Sequence, residues 1–262
     1  MRILTTFFIL MLVCETGFSQ PKSLTQIQFG KLYFAGINPA GELFTLSNDK
    51  INRFDKDGKA THELKFTRAN EVTQFDAWHL TQLVLYYRST QTVEMYNPVL
   101  DLRSSFVIDS AFAIEPEWIA ASFDQQYFWI FDKADQSIKK VNYKTQEVLI
   151  DERIQLFERQ ETVRGMREYQ RFLFIRTNTA LHVFNAMGRH IKKIDIKPTQ
   201  SFDFFGEELA ILDGNQLLLS SLFAKDSRSV SAFDVFDQVF VTDERLFGIR
   251  QNRVEIFPFN PQ

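Results

Sequence analysis

Residues 43–54 read LFTLSNDKINRF, and residues 246–257 read LFGIRQNRVEIF. Both carry Leu-Phe-x-(Leu/Ile), a polar link and (Ile/Val)-x-x-Phe at the same spacing. A strand–turn–strand unit near one end of the chain therefore recurs near the other. Looser copies lie between them: LVLYYRSTQTVEMY (83–96), YFWIFDKADQSIKKV (127–141), FLFIRTNTALHVF (172–184) and LAILDGNQLLLSSL (209–222). The copies begin at 43, 83, 127, 172, 209 and 246, in steps of 40, 44, 45, 37 and 37. Several short strands in each period of this length are the signature of propeller blades.

Each copy has one internal logic. Its first strand is an almost unbroken apolar run, which suits a strand covered on both faces. A turn closes its second strand: Asp55 to Gly58, Asn97-Pro98, Asn185 to Gly188. The alternating, charged strand that follows suits a blade's outer edge, where lysine discourages edge pairing. The acidic turn in INRFDKDGK (51–59) invites a calcium reading, but the ligand register rejects it. With Gly58 at loop position 6, Arg53 and Leu64 fall where an EF-hand needs Asp and Glu, and Glu63 is one residue out of register. Asp57-Gly58 is instead expected to turn a hairpin.

An inner strand should precede each apolar run. FDAW (75–78), FDFF (202–205) and FDVF (233–236) are candidates. The last is equally readable as the fifth blade's outer strand, with QVFVT (238–242) as the sixth inner strand. The final copy stops at RVEIFPFNPQ, before any outer strand, while LTQIQFG (24–30) is a spare strand ahead of the first copy. The expectation is an all-β, six-bladed β-propeller spanning 20–262 and closed by that N-terminal strand. Five or seven blades are alternatives, and a two-sheet sandwich is the rival fold.

Hydrophobic residues make up 45% of the chain, with 28 Phe against 10 Gly and 7 Pro, a bias that favours pleated surfaces. A net charge of −3 gives no basic excess for nucleic acid. MRILTTFFILMLVCETGFS (1–19) has Arg2, an apolar stretch too short to span a bilayer, and small residues ahead of Gln20. It reads as a signal peptide, and no second membrane segment follows. The one cysteine, Cys14, lies inside it. The mature chain would then lack disulfides, thiolate chemistry and Cys-ligated metals.

RFLFIRTNTALHVFNAMGRHIKKIDI (171–196) resembles an uncharacterised family of exported propeller proteins from Bacteroidetes. In that family a strand, a turn and a "vFD-x-x-G-x-y-x-k-x-i" strand recur. The matching residues are Val183, Phe184, Asn185, Gly188, Lys192 and Ile194, with Asn185 where the family usually has Asp. Residues 83–102 and 121–143 are similar to it too. The resemblance implies export and a propeller, and no activity.

No nucleophile elbow, Walker loop, dinucleotide fingerprint or His-Glu-x-x-His is present. His182 and His190 flank one expected turn and can meet across it, by accident more readily than as a metal site. The FD-x-aromatic triplets place Asp76, Asp203 and Asp234 on or near inner strands, which line a propeller's channel. Converging carboxylates there bind a cation or act as acid and base on a glycan; alternatively each Asp bonds a neighbouring blade's backbone. Trp78, His79 and Trp118 are candidates for a stacking surface at the channel mouth, against an ordinary core role. Arg164 and Arg167, in VRGMREY, are channel candidates for an anionic ligand. SIKKVNYK (137–144) and RHIKKIDIK (189–197) are basic and are expected to be solvated edges.

These features favour a monomeric, non-catalytic scaffold, periplasmic or outer-membrane associated, for an envelope protein or peptide partner. No cofactor or metal is assigned. The alternatives are a metal-dependent lactonase or hydrolase-type propeller and a glycan-binding module.

Overall fold

The computed structural model describes residues 22–154, 161–197, 201–224 and 226–260. The expected signal peptide, 1–19, lies outside them. The described residues are all β, arranged as six four-stranded antiparallel sheets. The first blade is β2 (Leu32–Ile37), β3 (Leu43–Ser47), β4 (Lys50–Phe54) and β5 (Ala60–Lys65), numbered after β1 (Thr25–Gln28). The second is β6 (Gln74–His79), β7 (Gln82–Tyr87), β8 (Thr92–Tyr96) and β9 (Leu102–Val107). The third is β10 (Pro116–Ala121), β11 (Tyr127–Asp132), β12 (Ser137–Asn142) and β13 (Glu147–Arg153). The fourth is β14 (Val163–Tyr169), β15 (Phe172–Thr177), β16 (Ala180–Phe184) and β17 (His190–Asp195). The fifth is β18 (Ser201–Phe205), β19 (Glu208–Asp213), β20 (Gln216–Ser221) and β21 (Ser227–Ala232). The sixth is β22 (Gln238–Val241), β23 (Arg245–Arg250) and β24 (Arg253–Pro258), completed by β1.

β1 lies antiparallel to β24, with Thr25 opposite Ile256 and Gln28 opposite Arg253. The spare strand therefore closes the ring, as its position implied. Six separate sheets rule out the two-sheet sandwich. The core divides the same way, into one apolar cluster for each pair of neighbouring blades. The cluster joining Ile37, Leu43 and Phe54 to Phe240, Phe247 and Ile256 is the seam between the sixth and first blades. Every blade is thus covered on both faces, which explains runs such as YFWIF. Each fully buried side chain of this kind contributes about 1.5–3 kcal/mol.

The DKDG turn locks that seam. Asp55 Oδ1 accepts the backbone N–H groups of Asp57 and Lys59 at 3.0 and 2.9 Å. Asp57 takes Arg245 at 2.7 Å, and Lys56 pairs with Glu244. Gly58 has φ +85°, and a Cβ there would meet Ile256 and Thr25 of the closing pair at 2.9 Å. Only glycine fits both the backbone and the space. Asn185 and Gly188 (φ +76°) repeat this turn in the fourth blade, and Asn97 with Leu100 (φ +66°) in the second.

Two expectations need correction. FDVF is neither an outer nor an inner strand; it links β21 to β22, the strand read in QVFVT. Phe233 and Phe236 are buried between the fifth and sixth blades, and Gly248 leaves the space that the Phe236 ring fills. SIKKVNYK is not a solvated edge either. Lys139 and Lys140 belong to β12, the third strand of its blade, and Lys139 is buried. RHIKKIDIK does form an outer strand, β17.

Candidate functional site

All six inner strands, β2, β6, β10, β14, β18 and β22, surround the centre of the ring. At the end where these strands begin they enclose a cavity of about 500 Å³. That size is typical of small-molecule or side-chain pockets. Of the residues singled out in the sequence, Asp76, Trp118, Arg164, Arg167 and Asp203 line it. Trp78, His79 and Asp234 do not.

In two blades the first residue of the inner strand ties its blade to the next. Gln74 Oε1 accepts Ile119 N–H at 2.9 Å, and Ser201 Oγ accepts Val239 N–H at 2.9 Å. Two residues further on stand the two FD aspartates, and their uses differ. Asp203 is buried; its Oδ2 accepts Val241 N–H of the next blade at 3.1 Å, and its Oδ1 takes Arg167 at 3.2 Å. Burial pushes its carboxyl above the usual carboxylate range, although the Arg167 charge and the backbone donors pull against this. Asp76 turns back on its own strand, its Oδ1 accepting Trp78 N–H at 3.0 Å where β6 bulges away from β7. The neighbouring-blade role, the alternative reading for each aspartate, is therefore found for Asp203 and not for Asp76.

That bulge directs Trp78 across the ring. Its side chain packs in the cluster between the fourth and fifth blades, 5.4 Å from Tyr169, with the Arg167 guanidinium 5.1 Å from its ring. Tyr169 stacks on Phe204 at 4.5 Å. Trp78 is thus a core plug deeper in the channel. His79 ends β6, half-buried, next to the turn into β7. Asp234 is exposed on the linker between the last two blades and pairs with Arg250 at 3.3 Å. It belongs outside the channel because the two flanking phenylalanines draw that linker into the core.

The lining also includes cationic and aromatic side chains. Arg164 is exposed and has no hydrogen-bond or ion-pair partner among the described residues. The Trp118 indole N–H is buried without a hydrogen-bond partner, and Arg88 lies 5.4 Å from the Trp118 ring. Sequence reading missed Phe34, which stacks on Phe75 at 6.1 Å, and Arg176, which stands over Phe202 at 5.2 Å. Arg176 had a signal: it is the one charge inside the apolar run FLFIRT. Asp237, also missed, uses Oδ2 on Gln251 N–H at 2.8 Å.

His182 and His190 do meet, Nδ1 to Nε2 at 3.4 Å, across the turn that joins their strands. Burial lowers the pKa of both rings. Among the described residues no group of three or more His, Cys, Asp or Glu is placed to hold a metal ion.

No protein-family model matches the chain, and no curated protein matches it by sequence. Solved structures do. The likeness is one of fold. The WD40 domain of Neurospora crassa Pan2 is similar with a TM-score of 0.59 at 8% identity, over 91% of this chain and 97% of that one. A Bacteroides thetaiotaomicron protein of unknown function gives 0.60 at 10% identity, over 91% and 72%. Virginiamycin B lyase from Staphylococcus aureus gives 0.51 at 10% identity, over 86% and 80%. These establish the propeller and carry no activity across. No helix among the described residues is long and apolar enough to cross a membrane.

Proposed function

We propose that this chain is a non-catalytic binding propeller, holding an acidic segment of a protein or peptide partner at the mouth of its central cavity. The observation that carries this reading is an imbalance in what the cavity groups already do. Its carboxylates are engaged: Asp76, Asp203 and Asp237 each accept a backbone N–H. Its Arg164 guanidinium and Trp118 N–H are not. Asp203 has both oxygens occupied, by Val241 N–H and Arg167, and recognition of an anion requires free donors of the kind that Arg164 and Trp118 offer.

The proposal includes export to the periplasm or outer membrane as a monomer, supported by the leader-like residues 1–19 and by the resemblance to exported Bacteroidetes propellers. Sequencing the mature N-terminus from the cell envelope tests export; an intact Met1 overturns it.

Selection of a random peptide library on the purified protein tests the binding reading. Enriched peptides should be acidic, and Arg164→Glu should weaken them by about tenfold or more, the loss of one charge-assisted contact. Trp118→Phe, which keeps an aromatic ring and removes the indole N–H, should weaken them less. Binding indifferent to both changes, or turnover of a lactone or glycoside that Asp76→Asn abolishes, sinks the proposal.

A further inference from the structure

The opposite face of the ring, where the inner strands end, carries a second groove of about 640 Å³ between the second, third and fourth blades. It shares no residue with the central cavity, and its argument is independent of the function proposed above. Two of its lining groups are orphans. Ser122 is 0% exposed, and its Oγ has no hydrogen-bond partner among the described residues. The buried Nε2 of Gln82 has none either. Buried polar groups without partners are rare in native structures, and a ligand is one explanation for them.

The groove's charge points to the ligand. Its lining includes Lys140, Lys144 and Arg171 against Asp124 and Glu168. Glu168 is buried and fully used: it accepts the Trp129 indole N–H and Phe123 N–H, and pairs with Lys140 at 3.6 Å. Lys144 and Arg171 are exposed. Arg171 is held in place in an unusual way. Gln170 and Arg171 form the two-residue turn between β14 and β15 with φ of +49° and +65°. Such a turn ordinarily recruits Asn-Gly, because side chains adopt this backbone at a cost. The result sets the Arg171 guanidinium 5.3 Å from the ring of Phe123, which is 67% exposed.

We infer that this groove binds a carboxylate, with Arg171 and Lys144 supplying charge, the Gln82 amide and Ser122 hydroxyl completing its hydrogen bonds, and Phe123 covering the group that bears it. One surplus cation suits a singly charged carboxylate better than a phosphate dianion. The carboxylate comes either from an acidic side chain of a peptide or from a free organic acid, and the test separates these.

The three tryptophans provide the readout. Trp129 donates to Glu168 beneath the groove, whereas Trp118 and Trp78 lie along the central channel. In ¹⁵N-labelled protein, butyrate and an acetyl-capped Gly-Glu-Phe-Gly amide, each carrying one carboxylate, are titrated separately while the indole N–H signals are followed. The Trp129 signal should move saturably, and those of Trp78 and Trp118 should not. A peptide affinity about tenfold above that of butyrate assigns the site to acidic peptides; comparable affinities assign it to free acids. Arg171→Gly, which the left-handed turn accepts, and Ser122→Ala should each weaken binding without altering the remaining spectrum. No Trp129 shift at millimolar ligand overturns the inference. So does an equal response to inorganic phosphate, or an affinity unchanged in both variants.

Discussion

Residues 138–141 read IKKV and residues 191–194 read IKKI, yet the ring treats them oppositely. The first stretch lies in β12, the third strand of its blade; the second lies in β17, the outer strand of the next. Ile138 is 0% exposed and Ile191 is 49% exposed. Lys139 Nζ sits between Asp132 and Asp135 at 3.3 and 3.1 Å, with 9% of its side chain exposed. Lys193 keeps 36% of its side chain exposed beside the buried side chain of Glu161, whereas Lys140, its counterpart in the first stretch, keeps 12% beside Glu168. Near-identical sequence therefore acquires opposite energetics from a strand's rank within its blade. A third strand is covered by both neighbouring blades; an outer strand meets solvent on its open side.

The sharpest way to break this comparison is to remove the lysines. Lys139→Ala leaves buried Asp132 without its counter-ion, and unfolding in urea should show a loss of about 3–5 kcal/mol. Lys193→Ala should lose less, because 36% of its side chain is exposed and water screens the charge it leaves on Glu161. Equal losses would mean that strand rank does not govern the pair. The isoleucines come next: Ile138→Ala should lose about 2–5 kcal/mol by leaving a cavity, and Ile191→Ala less than about 0.5 kcal/mol.

The smallest effect concerns pH. Burial pushes the Asp135 carboxyl up, but hydrogen bonds from Ser137 and Lys139 outweigh it and hold its pKa below 3.8. Burial pulls Lys139 down, but bonds to Asp135 and Asp132 outweigh it and hold its pKa above 10.5. The Asp135 contribution is therefore present above pH 3.8 and lost as pH falls through its lower folded value. That of Lys139 is present below pH 10.5 and lost as pH rises through its higher folded value. Between these limits the pair should add nothing to the pH dependence of Tm. Asp135→Asn should flatten the acid limb; an acid limb unchanged by that variant would remove Asp135 from the account.

The two IKK stretches also mark what the sequence could reveal. Blade period, the inner strands in FDAW and FDFF, the DKDG turn and closure by LTQIQFG are local patterns or matches between patterns, and each is visible along the chain. Strand rank is a matter of counting strands within a blade, and the third strand of YFWIFDKADQSIKKV resembles an edge because its lysines are neutralised by carboxylates that lie outside it. FDVF misled for a related reason: the triplet matches two inner strands, but the space at Gly248 captures Phe236 and swings Asp234 outwards. At the central cavity, the residue types were readable in Asp76, Trp118, Arg164, Arg167 and Asp203. Which of them are already bonded depends on register, and register decides that Asp203 serves the next blade while Asp76 serves its own bulge. The lower groove left no motif, because Ser122, Gln82 and Arg171 come from three blades and meet only when the ring is built.

The pairing of β1 with β24 also orders events in time. The sixth blade takes three strands from one end of the described chain and one from the other. As the chain is synthesised from its N-terminus, β1 must wait unpaired until β24 arrives. The final seam is the longest-range contact of the fold, and contacts of that kind form slowly. Until it forms, the first blade's apolar face, with Ile37 and Leu43, lacks its cover. The ring's permanence once shut thus comes with a delay during which the nascent protein is most open to aggregation and to chaperones.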